Sequence, residues 1–355
     1  MIMNKKKNNI FNNIFIGIFT LVLIAPIAMV DGQERVQSAK EWKLTVQQIY
    51  GPTSRSTPVV WSFMDEIEKE TGGRVMFPKR FDNAALVPVT RALPALAEGT
   101  FHFFHTTSLF HAGVDPVFAF LEIPGLALTR ETREKMLEDP EIMSIMQKAW
   151  NRQGIQLLGF QCIAEQAWSF SKSKKLKCID DMKGLRIVGS GGPYDDLVKA
   201  LGASTVLTPP AERYEAMMRG VGDGLACTIY MLEDYKLGET VAQIMLPPWI
   251  AYQMNPWLAN KKSWDSFPED IKTIIARVAR EHSRKTIDIY EKEFVKKANP
   301  TIIKKYNLEV LQLSKEDLGR LQKAYEVVIN KYAARSPETK QLVDIWRAKY
   351  RPKEF

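Results

Sequence analysis

The chain has 355 residues, a formal net charge of +8, 45% apolar residues and 25% charged residues. Those proportions exclude an intrinsically disordered chain, which lacks the apolar surface needed to offset chain entropy. Only one long apolar run occurs, which excludes a multi-spanning membrane protein.

That run opens the chain. Lys5, Lys6 and Lys7 precede an apolar stretch from Ile14 to Val30, and polar residues follow from Asp31. A basic start, an apolar middle and small residues near the end predict a secretory signal over 1–32 and a periplasmic destination. An uncleaved anchor helix is the alternative, since the run approaches spanning length. Removing residues 1–32 takes away three Lys and one Asp and leaves +6. That charge is dispersed, and no recognition motif accompanies it, so nucleic acid is not expected as a partner. Cys162, Cys178 and Cys227 are too few for a disulfide scaffold.

The remainder alternates between the two periodicities. Trp42, Leu44 and Val46 alternate with polar residues and predict a strand over Trp42–Ile49. Val60, Trp61, Met64 and Ile67 have helical spacing within Pro58–Thr71, and Gly72-Gly73 ends that helix. Strands follow at Arg74–Phe77 and Phe101–Thr107, with a helix at Val89–Ala97 between them. Thr129–Arg152 reads as one helix and Ile155–Ile163 as a strand. The middle repeats the pattern: strands at Leu185–Val188, Thr205–Leu207 and from Gly224, helices at Pro193–Leu201 and Ala211–Arg219. Strands alternating with helices predict parallel sheets covered on both faces. The carboxyl end is helical. Ser266-Phe267-Pro268-Glu269 has the form of a capping box. The helix it opens is expected to run to Ala298, about 45 Å, and to stop at Asn299-Pro300. Ser314 caps a further helix, and a last one covers Glu338 to Tyr350.

Catalytic and metal signals are weak. His102 and His105 fall on opposite faces of a strand, so they do not share a metal easily. No nucleophile and base are placed together, and no cofactor motif is complete. Gly189-Ser190-Gly191-Gly192 follows a strand and opens a helix, but Tyr194 stands where a dinucleotide loop needs its third glycine. Free amides at that turn remain able to hold an anion. Neither an enzyme nor a cofactor is expected.

Several segments resemble one family. They are Gly99–Pro124 with Thr106-Thr107-Ser108, the run Asp181-Met182-Lys183-Gly184-Leu185-Arg186-Ile187, Gly202-Ala203-Ser204, Pro209–Gly224, and Asn260–Pro268. In this order and spacing they resemble the dicarboxylate-binding substrate-binding proteins of TRAP (tripartite ATP-independent periplasmic) transporters. The resemblance implies a two-lobed α/β periplasmic binding protein fold, each lobe a mostly parallel sheet flanked by helices, with a long helix spanning both. It places lobe I at 33–161 plus 252–290 and lobe II at 162–251 plus 291–355. It implies an organic solute held between the lobes and passed to membrane permease subunits.

The departures bear on the solute. Where the family has Gly-Leu-Lys-Ile-Arg, with the Arg pairing the ligand carboxylate, this chain has Val188; Arg186 lies two residues earlier, on the same strand face. Cys227 replaces a polar contact of the family, and a further family Arg falls near Ala167 or Trp168. A buried carboxylate without a partner costs several kcal/mol, of the order of 3 or more. The expected solute is therefore apolar- or aromatic-bodied, with at most one anionic group. Candidate contacts are Arg55, His105, Thr107, Trp168, Arg186, Val188, Ser190, Cys227, Tyr230 and Tyr252. Two alternatives stand beside this reading. One is a small dicarboxylate held by a basic residue elsewhere in the chain. The other is a ligand-binding partner of a membrane sensor.

Overall fold

A computed structural model describes residues 40–351. The expected signal at 1–32 lies outside them. Nine strands form one mixed sheet: β1 (Trp42–Gln48), β2 (Val75–Phe81), β3 (Phe103–His105), β4 (Ile155–Ser171), β5 (Arg186–Gly189), β6 (Ser204–Leu207), β7 (Gly224–Cys227), β8 (Val241–Asn260) and β9 (Glu309–Gln312). Their order is β2-β1-β3-β8-β4-β7-β5-β6, with β9 beside β8. The short strands pair in parallel within two groups, β1 with β2 and β3, and β5 with β6 and β7. β4 and β8 run antiparallel to each other along nearly their whole length. The far end of β8 pairs β3 and the near end pairs β9, while the far end of β4 pairs β7. Two long strands thus carry the sheet from one parallel group to the other, and helices cover each group, as a two-lobed binding-protein fold requires.

The elements expected from periodicity form within a few residues of their predicted bounds, with instructive exceptions. Thr129–Arg152 is two helices, Arg130–Glu138 and Pro140–Arg152. Pro140 pushes Asp139 out of the helical region, to φ −70° and ψ 114°. β4 continues eight residues past Ile163, to Ser171. The Ser266 capping box does not form: Ser266 closes the short helix Lys261–Asp265, its Oγ donating to the Ser263 carbonyl, and Pro268 is the N-cap of Glu269–Ile289. Nor does Asn299-Pro300 stop the long helix. The helix passes through a π-helical segment, Tyr290–Ala298, into Asn299–Lys305. The wide turn comes where the proline ring would otherwise meet the carbonyl four residues earlier.

The core is continuous. Phe118 stacks on Trp150 at 3.5 Å, both fully buried, and Trp168, Trp257 and Trp346 are buried as well. The last helix, Pro337–Lys349, returns across the fold. Trp346 Nε1 donates to the Leu126 carbonyl, and Lys349 Nζ reaches Asp139 Oδ2 at 2.9 Å. The expectation assigned this helix to lobe II, and it packs both on Lys315–Ala333 of that lobe and on residues 116–152.

Asp139 serves both sides of that junction. Its Oδ1 accepts from the Glu141 and Ile142 amides at 2.9 and 3.2 Å, and its Oδ2 accepts from Lys349 and Tyr350. Asp139→Ala is expected to cost about 1–2 kcal/mol. In urea unfolding the midpoint should fall with the slope unchanged.

Candidate functional site

The ends of the parallel strands in both groups converge beside the middle of β4 and β8. A small cavity lies there, walled by Leu109, Gln166, Ser190, Tyr194, Ala226, Trp249 and Gln253. It holds about 10 Å³, the room of a single water-sized sphere.

Glycines bring the walls together. A Cβ on Gly189 would fall 2.2 Å from the Tyr194 ring, so only glycine lets β5 run under that ring. Gly192, at φ +67°, caps the helix Pro193–Ala200, and a Cβ on it would fall 3.2 Å from the Leu109 carbonyl. The Tyr194 hydroxyl accepts from Trp168 Nε1 at 3.3 Å, and its ring leans on Trp249 at 4.7 Å.

Behind this wall stands Arg213, 2% exposed. Its Nη2 donates to Ser190 Oγ at 2.8 Å, its Nη1 to the Ala226 carbonyl at 3.1 Å and its Nε to the Thr208 carbonyl at 3.2 Å. Ser190 and Ala226 are both cavity-wall residues. All three acceptors are neutral, and no carboxylate pairs with Arg213 among the described residues. A guanidinium carries five N–H groups, so one on each terminal nitrogen is uncommitted. Burial pulls the Arg213 pKa down, as expected of a cation without a counter-ion.

The opposite wall is a chain of polar groups. Glu122 is buried, and burial raises its pKa. It accepts from Thr107 Oγ1 at 2.7 Å, the Ser108 amide at 2.6 Å and Gln253 Nε2 at 2.6 Å. Gln253 in turn accepts from Gln166 Nε2 across the β4–β8 pair. Glu122 therefore fixes which way the Gln253 amide points at the cavity.

Of the residues singled out from sequence, Ser190 lines the cavity, Thr107 backs it through Gln253, Trp168 through Tyr194, and Cys227 adjoins Ala226 at the end of β7. Burial raises the Cys227 thiol pKa to about 12, with Arg213 drawing it down. Val188 is buried in β5, where a Cβ on Gly222 would lie 2.6 Å from its Cγ2. His105 is buried against Trp257 and Tyr50, and neither ring nitrogen has a partner among the described residues.

Four others go elsewhere. Arg186 does not reach the cavity. It is exposed at the first position of β5, and its guanidinium binds Asp223 and the Gly220 carbonyl. The strand begins at Arg186, so its side chain stands at the open end of the sheet, while Val188 is packed inside. Arg55 is held by Asp234, Glu233 and the Tyr230 carbonyl. The Tyr230 hydroxyl meets Ser56 Oγ at 2.5 Å. Tyr252 donates to Glu291 at 2.9 Å, on the π-helical segment. His102 Nδ1 accepts from the Thr45 amide, and His111 Nε2 lies 3.1 Å from Thr106 Oγ1. Among the described residues, no three His, Cys, Asp or Glu side chains are grouped to hold a metal ion. The three cysteines are free thiols.

Arg213, Tyr194, Gln166, Gln253 and Trp249 were not among the expected contacts. Arg213 and Met217 both face inward from Arg213–Met218, four residues apart. Which side of this short helix faces inward is set by tertiary packing, and no local sequence signal marks Arg213.

Residues 49–336 match the bacterial extracellular solute-binding protein family 7, DctP. A curated monocarboxylate 2-oxoacid-binding periplasmic protein of Nostoc sp. is 25% identical over 292 residues, 79% of this chain and 77% of that one. An uncharacterized protein of Haemophilus influenzae is 29% identical over 231 residues, 63% of this chain and 66% of that one. Among solved structures, a TRAP periplasmic solute-binding protein of Desulfovibrio salexigens with bound orotic acid superposes with a TM-score of 0.80. It is 20% identical, and the match covers 87% of this chain and 99% of that one. These matches are solute-binding proteins rather than enzymes wherever a role is given.

Proposed function

Because the chain belongs to the bacterial extracellular solute-binding proteins of family 7, we propose that it is the receptor of a TRAP transporter, taking up an organic acid with a single carboxylate anchored by Arg213. The observation that carries this reading is a buried guanidinium behind the cavity wall with only neutral acceptors. A carboxylate supplies the missing counter-charge, and charge-assisted hydrogen bonds to it are worth about 1.5–3 kcal/mol each. Val188 leaves the family's Arg position empty of charge; Arg213 takes that task from another part of the chain.

The count of charges argues for one carboxylate, not two. No Lys or Arg lines the cavity itself, and the buried Glu122 lies behind its other wall. A second ionised carboxylate there would be buried without a partner, at a cost of several kcal/mol, of the order of 3 or more. The remainder of the solute rests on Trp249, Tyr194 and Leu109, with Gln166 and Gln253 for a carbonyl or hydroxyl. The Nostoc relative's monocarboxylate 2-oxoacids have this form.

A solute of several heavy atoms needs more than 10 Å³, so the walls part to admit it. We place the moving lobes at 33–161 plus 252–290 and 162–251 plus 291–355, the helix Pro337–Lys349 touching both. Register shifts in β4 between Cys162 and Trp168, and a φ of +142° at Ala164, support a boundary there. Export by residues 1–32 brings the receptor to the periplasm, where the closed form delivers its solute to the permease.

A thermal-shift panel of residues 33–355 tests the reading. A monocarboxylate at one hundred times its Kd adds about 2.7 kcal/mol, a rise of several degrees. Succinate and malate should give none. A dicarboxylate that outperforms every monocarboxylate overturns the one-carboxylate reading.

A further inference from the structure

The turn leading into the helix Ser56–Glu70 is bound across the cleft to residues 230–235, which follow β7. The Arg55 amide donates to Asp234 Oδ2 at 2.7 Å. Its guanidinium reaches Asp234 Oδ1 at 2.9 Å, the Tyr230 carbonyl at 3.4 Å and the Glu233 carboxylate. Ser56 Oγ and the Tyr230 hydroxyl are 2.5 Å apart, and the Gly51 amide donates to the Tyr235 hydroxyl at 3.1 Å. Lys305 adds a second cation to Glu233 at 2.7 Å.

We infer that Arg55, Glu233 and Asp234 form a clasp that holds the two lobes closed without solute, and that Arg55 is not a solute contact. The argument is geometric. One face of the set hangs from β1, the other from β7, and these strands lie in different parallel groups of the sheet. Opening the cleft at this edge separates Gly51, Arg55 and Ser56 from Tyr230, Glu233, Asp234 and Tyr235 at once, while Lys305 stays with Glu233. An exposed ion pair alone does little against solvent. Here the Asp234 side chain is 4% exposed, and the Ser56–Tyr230 contact is buried. The clasp therefore biases the open–closed equilibrium before any solute arrives. Because solute enters through the open form and is held in the closed one, such a bias slows both association and release. The inference needs two moving lobes but not any choice of solute.

The experiment is run without solute, so its outcome is independent of the anchor assigned to Arg213. Spin labels on Lys69→Cys and Lys199→Cys, both exposed, report the distance between the two groups. Cys178→Ser removes the half-buried native thiol, and Cys162 and Cys227 are buried. The parent should show a dominant short distance. Arg55→Gln, and separately Glu233→Gln on the accessible side of the clasp, should each lower that short-distance population at least threefold. Because Glu233 is surface-placed, its variant keeps the test valid if Arg55→Gln folds poorly. Unchanged distance distributions in folded Arg55→Gln and Glu233→Gln overturn the clasp.

Discussion

Replacing Arg213 with Met should weaken binding of the best monocarboxylate by at least about a hundredfold, while leaving the solute-free protein as stable as the parent or more so. The two halves of this expectation come from one feature. With solute bound, the free N–H groups on Nη1 and Nη2 face a carboxylate, and two charge-assisted hydrogen bonds at about 1.5–3 kcal/mol each cover more than two decades of affinity. Without solute, the same group is a buried cation whose acceptors are the Thr208 and Ala226 carbonyls and Ser190 Oγ. Replacing buried charge by apolar volume is often neutral, or stabilising by about 1–4 kcal/mol. Three neutral acceptors lose a donor in exchange, which limits the gain. Arg213→Lys keeps the charge and loses the planar fork, so its affinity should fall between the two. Calorimetric titration with the best acid of the panel, beside thermal melts of solute-free protein, separates the effects. Parent-like affinity in Arg213→Met removes Arg213 from the site.

Much of this arrangement is visible in the amino-acid sequence, and the failures have physical causes. Short strands announce themselves because apolar residues alternate or run together, as in Trp42–Gln48 and Arg186–Gly189. The long strands hide. β8 contains Pro247, Pro248 and Pro256, which in a sequence argue against a central strand. β4 shifts register four times between Leu157 and Trp168, so no single period survives along it. The site shows the same division. Ser190, Thr107 and Cys227 lie at or just past strand ends, in or close to segments that carry the family resemblance, and they fall at or behind the cavity wall. Arg213 reads as an ordinary surface cation between Glu212 and Glu215. Only the packing of Arg213–Met218 against β5, with the Arg213 hydrogen bonds to Ser190 and the Ala226 carbonyl, turns it inward, and packing over that distance leaves no local trace. Arg186 fails for the opposite reason. The period-two argument gives its face correctly but not its depth, and at the first residue of a strand a long side chain turns to the nearest carboxylate, here Asp223.

Acid should destabilise this protein already between pH 7 and 5, because it keeps buried histidines neutral. His111 is fully enclosed, and burial lowers its pKa to about 3. Burial likewise depresses His105, with His282 nearby adding to it, and depresses His282 against the opposing pull of Glu66. In the unfolded chain each titrates near its ordinary value of about 6.5. Between about pH 3 and 6.5 the unfolded state therefore holds more protons than the folded state, and stability falls as pH falls. For His111 alone the loss between pH 7 and pH 5 is about 2 kcal/mol, a sizeable part of the 5–15 kcal/mol typical of a folded domain. Buried carboxylates act against this: burial raises the pKa values of Glu122, Glu165 and Asp195, which favours the folded state as pH falls. The Asp234 pKa, raised to about 6 chiefly by burial, favours the folded state as pH falls. The Glu66 carboxyl, lowered to about 2 by the neighbouring His282 and Lys285, loses its contribution only below about pH 4.5. The histidines should dominate between pH 7 and 5. Urea unfolding in half-unit pH steps reads the slope directly. His111→Asn, which keeps a polar partner for Thr106 Oγ1 and cannot bind the proton, should flatten it by about one proton's worth. A slope that His111→Asn leaves untouched would show that this ring is protonated in the folded state, with its charge held by groups other than Phe104 and Thr106.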